Sequence, residues 1–147
     1  RQWLEEEYEM AHLHTLVGAK WLEDRESTRA YAPVALGHHC WYDGSRGYPE
    51  TYHRLECPCR QMVDLIGILD WINNVTDTTR LHMGMEKTFE EAVEDAVALE
   101  GKRFSPLLTV RLRDQGVVEQ VKQGFAEVRR EAYRLLYEWH SENWGKG

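Results

Sequence analysis

The turn-forming residues of this chain are concentrated in one segment, Cys40 to Cys59, and the sequence on both sides of it runs at helical period. Loops of that length in a compact domain are usually functional or disordered. No run alternates apolar and polar residues between turn signals in the way a half-buried strand requires, and there is no internal repeat, low-complexity tract or interior linker. The pattern predicts an all-α chain. With 147 residues, 42% of them hydrophobic, it suffices for one core.

Helix by helix, the pattern is specific. From Trp3 to Leu22, the residues Leu4, Tyr8, Ala11, Leu13, Val17 and Leu22 recur at helical spacing. A short helix is predicted over Tyr31 to His39, with Pro33 tolerated in its first turn. Met62 to Val75 is apolar enough to be buried on most sides. Thr88-Phe89-Glu90-Glu91 forms a capping box ahead of Ala92, Val93, Ala96, Val97 and Leu99, and that helix stops at Gly101. Ser105-Pro106 is a further start, serine capping and proline opening the first turn.

The last helix is predicted from about Val117 to Trp139. Val118, Val121, Phe125, Val128, Ala132, Leu135 and Trp139 alternate spacings of three and four, a heptad seam at the lower limit for a coiled coil. Such a seam either packs on its own domain, which is the simpler reading, or pairs with another chain, giving a homodimer through 117–139.

Within and beside the long loop lies the densest chemistry: His38-His39-Cys40-Trp41-Tyr42-Asp43-Gly44-Ser45-Arg46-Gly47-Tyr48-Pro49. Imidazole and carboxylate are common ligands of catalytic first-row metals. Gly44 and Gly47 allow backbone to approach a ligand where a side chain would block it. Two successive residues of a helix diverge by about 100°, so His38 and His39 are expected to serve one ion poorly and two ions of a cluster better. His14 shares a helix face with Gly18, while His12 points off that face. Asp70 sits in the apolar run Leu65 to Ile72, where an uncompensated carboxylate is costly. Asp43 precedes Gly44 and can also bond its own turn. Arg46 and Arg80 offer guanidinium groups matched to phosphate.

A formal net charge of -7 argues against duplex nucleic acid as a partner, although a bound metal can reverse the field locally for a small anionic nucleotide. No apolar run approaches the roughly 20 residues needed to cross a bilayer, and the expected address is cytoplasmic. Three cysteines, with Cys57-Pro58-Cys59 lacking a second pair, read as free thiols rather than a zinc site.

Taken together, these residues resemble the later part of an HD-GYP domain, a branch of the HD-domain metal-dependent phosphohydrolases whose members commonly hydrolyse cyclic di-GMP. The family's histidine-then-glycine helix matches His14 and Gly18. Its double histidine and Asp-Gly-Ser loop match His38, His39, Asp43, Gly44 and Ser45, and its GYP signature matches Gly47, Tyr48 and Pro49. Asp70 corresponds to the aspartate ligand after the loop, and Arg80 follows near the spacing of a phosphate-contacting arginine. Thr88 to Glu91 and Phe104-Ser105-Pro106 resemble the closing helices. The match spans Trp3 to Asp114, so residues 1–114 are expected to be the C-terminal part of an HD-GYP-like domain, a partial helical bundle, and 115–147 a long C-terminal helix.

The resemblance implies divalent ions, iron or manganese, held by His14, His38, His39 and Asp70. It also implies a cyclic dinucleotide positioned by Asp43, Gly44, Gly47, Tyr48 and Arg80. Three departures qualify it. No His-Asp dipeptide occurs in the chain, so the family's dyad, its lysine and an acidic ligand are expected before Arg1, where the sequence opens inside a helical pattern. Cys40 replaces the usual glutamate, and Asn73 stands where a second aspartate is usual. A phosphodiesterase domain, inactive or very weak as this piece alone, is therefore the leading expectation. A regulatory or interaction module with a degenerate site is the alternative, and a different phosphate ester as substrate is the third.

Overall fold

The computed structural model describes residues 4–77 and 87–144. Within them the chain is helical, without a strand; one isolated bridge joins Glu100 and Phe104. The order is α1 (Glu5–Glu23), α2 (Ala32–Gly37), α3 (Arg60–Thr76), α4 (Phe89–Ala98), α5 (Pro106–Thr109) and α6 (Gln115–Asn143), with single 3-10 turns at 29–31, 54–56 and 111–113. No helix is long and apolar enough to cross a membrane.

The starts of α4 and α6 follow from local chemistry. Thr88 Oγ1 accepts from Glu91 N–H at 3.2 Å, and Glu91 returns to accept from Thr88 N–H at 2.8 Å, the reciprocal capping box that was expected. α6 begins two residues before the predicted Val117 because Asp114 caps it, accepting from Gly116 N–H at 2.8 Å and Val117 N–H at 3.3 Å. Ser105 departs from expectation. Its hydroxyl makes no capping bond, its carbonyl accepts from Leu108 and Thr109 N–H, and α5 lasts four residues.

The core lies between α3 and α4. Ile68, Ile72 and Val75 of α3 meet Phe89, Ala92, Val93 and Ala96 of α4, with Phe104 closing one end. Val118, Val121 and Phe125 bring the first half of α6 against this cluster. The first turns of α3 are less covered than the dense apolar run suggests, since Met62, Leu65 and Ile66 are exposed, but from Gly67 to Thr76 every residue is buried or half-buried. α1 differs as well. Its covered face is Thr15 and Ala19, and a Cβ added to Gly18 would meet the Ala35 Cβ of α2 at 3.5 Å, an ordinary contact, while Leu4, Tyr8, Leu13 and Val17 face outward. Small residues, not the large apolar ones, let α1 and α2 approach closely.

The heptad seam divides at Arg129. Its guanidinium donates to Asn73 Oδ1 (3.0 Å), Asn73 O (3.0 Å), Thr76 O (3.2 Å) and Thr76 Oγ1 (2.7 Å), closing the carbonyl end of α3 from α6. Asn73 is thus engaged with α6. From Val128 on the seam is uncovered: Val128, Leu135 and Trp139 are 68%, 53% and 60% exposed. Neighbouring substitutions on α6 should therefore differ sharply. Arg129→Met is expected to lower stability by about 2 kcal/mol, the scale for charged hydrogen bonds, and Val128→Ala to change it by less than about 0.5 kcal/mol. Urea unfolding of both variants measures the contrast.

Candidate metal centre

α1 presents His14 toward the end of α2, where the helix stops at Gly37 and the chain turns with Cys40 N–H donating to Gly37 O at 2.9 Å. This early stop reverses one sequence expectation. His38 and His39 do not diverge as helical neighbours; their ring centroids lie 4.1 Å apart. His14 Nε2 is 3.2 Å from both His38 Nε2 and His39 Nε2. The three rings therefore meet at one point, and their ligating atoms lie within 4.8 Å of one another.

The other ring nitrogens fix the protonation pattern. His14 Nδ1 faces Ala11 O at 2.5 Å and His38 Nδ1 faces Ala35 O at 2.9 Å. A carbonyl only accepts, so each Nδ1 directs its N–H there and leaves Nε2 as the nitrogen turned to the other rings. Nitrogens facing each other at 3.2 Å repel as lone pairs unless a proton or a metal ion is shared between them. Two nitrogens bound to one ion at about 2.1 Å would stand about 3.0 Å apart in octahedral and about 3.4 Å apart in tetrahedral geometry. The observed spacing falls between, so these donors fit a divalent first-row ion.

Glycines hold this arrangement by letting backbones touch. A Cβ on Gly67 of α3 would lie 2.6 Å from the His38 carbonyl oxygen, and one on Gly47 would collide with the His39 carbonyl. Gly47 also has φ +104°, open to glycine but not to L side chains. A Cβ on Gly37 would stand 2.5 Å from the Tyr52 ring. Cys40 is engaged with the loop backbone. Its Sγ bonds Tyr48 O at 3.2 Å, and burial pushes the thiol up to about 11.

Asp70 and Tyr48 join the imidazoles. Asp70 Oδ2 is 3.9 Å from His39 Nε2 and accepts from Asn74 Nδ2 at 2.8 Å. Tyr48 tilts over His39 at 4.6 Å and stacks on His12 at 3.8 Å, so His12, set aside on helical phase, reaches the site through the tyrosine. Burial and the Asp70 carboxylate hold the Tyr48 phenol up at about 12, keeping it a hydrogen-bond donor. Asp43 is not brought in. It is exposed, it accepts from Ser45 N–H at 2.9 Å, and those bonds hold its carboxyl below the ordinary range. Gly44, with φ +75° and open space around it, serves the same turn. Arg46 lies over the Trp41 ring at 5.3 Å. Arg80 lies outside the described residues.

Two residues carry weight that the sequence did not signal. The nearly buried carboxylate of α3 is Asp64, paired by Arg54 Nε at 3.1 Å and Nη2 at 2.5 Å, which ties the long loop to α3. Arg103 comes from the turn after α4. It lines, with His38, His39, Cys40 and Gly67, a cavity of about 10 Å³, room for about one water. Cys57 and Cys59 are free thiols with Sγ atoms 3.6 Å apart.

Compared with protein families, curated proteins and solved structures, the chain matches none.

Desolvation, then the neighbouring imidazoles and Arg103, lower the His39 pKa to about 3 from an ordinary 6.5. The unfolded chain therefore takes up a proton that folded His39 refuses between those values, so this contribution is intact above pH 6.5 and is lost as pH falls toward 3. Chelator-treated protein should lose stability through that window, and His39→Gln should flatten the slope in urea midpoints measured against pH. Gly67→Ala sets a helix-propensity gain of about 1 kcal/mol against collision with the His38 carbonyl. The collision should win. Co²⁺ titration is expected to show at least tenfold weaker binding, and unchanged affinity would refute the backbone-contact account.

Proposed function

We propose that this chain contributes to a metal-dependent phosphodiesterase centre of the HD-GYP kind, acting on a cyclic dinucleotide such as cyclic di-GMP. The carrying observation is the convergence of the His14, His38 and His39 Nε2 atoms at 3.2 Å, with both flanking Nδ1 protons committed to carbonyls. Under this reading the helices belong to an HD-domain-like bundle. Iron or manganese is the preferred ion, held by the three imidazoles with Asp70 beside them.

A divalent ion bound there would supply Lewis acidity. The chain's own residues do the rest. The imidazoles would hold the ion through their Nε2 atoms, and Asp70 would balance charge next to His39. Tyr48, a neutral phenol stacked between His12 and His39, donates to a phosphate oxygen or stacks on a base. Gly47 keeps the loop against the His39 backbone. A second reading, an interaction module pairing through 117–139, is favoured by the outward stripe of Val128, Leu135 and Trp139.

The deciding experiment compares this chain with a longer one carrying the residues that precede Arg1. Manganese and iron content is measured by elemental analysis, cyclic di-GMP turnover by chromatography and mass by light scattering. Expected are metal in both and turnover in the longer chain only, with His38→Ala and His39→Ala each removing both. A longer chain that is metal-free, inactive and dimeric would overturn the enzyme in favour of the interaction module.

A further inference from the structure

The partly buried arginines of this fold provide an internal comparison. Arg54 is saturated by Asp64, and Arg129 makes four bonds to the end of α3. Arg103 is different. Its guanidinium lies 5.4 Å from the Trp71 and Phe104 ring centroids and 5.9 Å from that of Trp41, yet its side chain makes no hydrogen bond or ion pair among the described residues. Three aromatic rings fix its position without using its N–H groups, which is the condition for a preorganised anion receptor.

The backbone holds it equally firmly. Tyr42 N–H donates to Arg103 O at 3.1 Å and Asp43 N–H to Lys102 O at 3.0 Å, pinning this turn to the start of the GYP loop. The side chain thereby shares a cavity wall with His38 and His39. Asp70 and Tyr48 are the groups whose charges act on it, and burial lowers its pKa without removing its charge.

We infer that Arg103 receives the anionic oxygens of a phosphoryl group bound at the three-imidazole centre, the role that the sequence alone gave to Arg80. The inference rests on the metal-centre reading above and deepens it. A fixed guanidinium and a divalent ion held side by side repel. A phosphate between them turns that repulsion into two attractions, so metal and phosphate must bind cooperatively, each raising the other's affinity by the same factor. Arg103 is thus a substrate-contacting residue whose signature is coupling, not metal affinity.

The test titrates Co²⁺ into chelator-stripped full chain, with and without inorganic phosphate, for wild type, Arg103→Gln and Arg103→Lys, with folding followed by far-UV circular dichroism. Wild type is expected to bind Co²⁺ about tenfold more tightly with phosphate, within the usual range of coupling. Arg103→Gln should bind Co²⁺ at least as tightly as wild type without phosphate and lose the enhancement. Arg103→Lys, which keeps the charge but not the fork, should retain only part of it and serves as the readout should the glutamine variant fail to fold. Co²⁺ binding whose phosphate enhancement is absent in wild type, or survives in both variants, overturns the role of Arg103 alone. No Co²⁺ binding by wild type overturns the metal centre and this role together.

Discussion

Backbone-to-backbone contact at the His38–His39 turn is the constraint on which the rest of the site depends. α3 reaches the His38 carbonyl at Gly67, and the loop reaches the His39 carbonyl at Gly47; at neither point is there space for a Cβ. Side-chain packing adjusts to substitution, whereas a carbonyl held between two backbones does not. The turn therefore has one position, and from it both imidazoles are presented to His14. On α1 the face turned to α2 is built of small residues, Thr15 and Ala19 buried and Gly18 beside Ala35, and His14 reaches the same point from this helix.

Given that geometry, the electrostatics follow. Helix carbonyls at Ala11 and Ala35 take the Nδ1 protons, a local effect of residues three positions apart on one helical turn. The Nε2 lone pairs are left facing one another, and desolvation of His39 opposes relief by protonation. Neutral imidazole is the form that ligates a metal, and His39 is held in that form by its burial. Asp70 reduces the positive field on one side, and Arg103 restores it on the other.

Much of the fold was legible from local chemistry. The Thr88–Glu91 box and the apolar runs of α3, α4 and α6 appear where their spacing places them. What misled was phase and termination. Treating His38 and His39 as helical neighbours sent them in different directions; ending the helix at Gly37 brought them together. Helical phase likewise set His12 aside, although Tyr48, from a distant loop, bridges it to the site. The costly buried carboxylate was sought at Asp70, but Asp64 is the more buried, its partner Arg54 lying in a loop whose course no periodicity describes. Arg103 gave no signal because its distinction, three aromatic neighbours and no side-chain hydrogen bond among the described residues, exists only in three dimensions.

α6 shows how one helix can serve two environments. Up to Phe125 its apolar residues join the α3–α4 core, and Arg129 fastens it to the end of α3. From Val128 on the same spacing continues with nothing from the described residues covering Val128, Leu135 or Trp139. The exposed Glu131–Arg134–Glu138 pairs lie in solvent, where screening leaves ion pairs little worth. An isolated helix shorter than about 12–15 residues is marginal in water. The second half therefore inherits its helicity from the anchored first half, so Arg129 bears on both the end of α3 and the persistence of the outward stripe. A heptad pattern read along the whole helix cannot separate these halves, because periodicity records which residues share a face and not what that face meets.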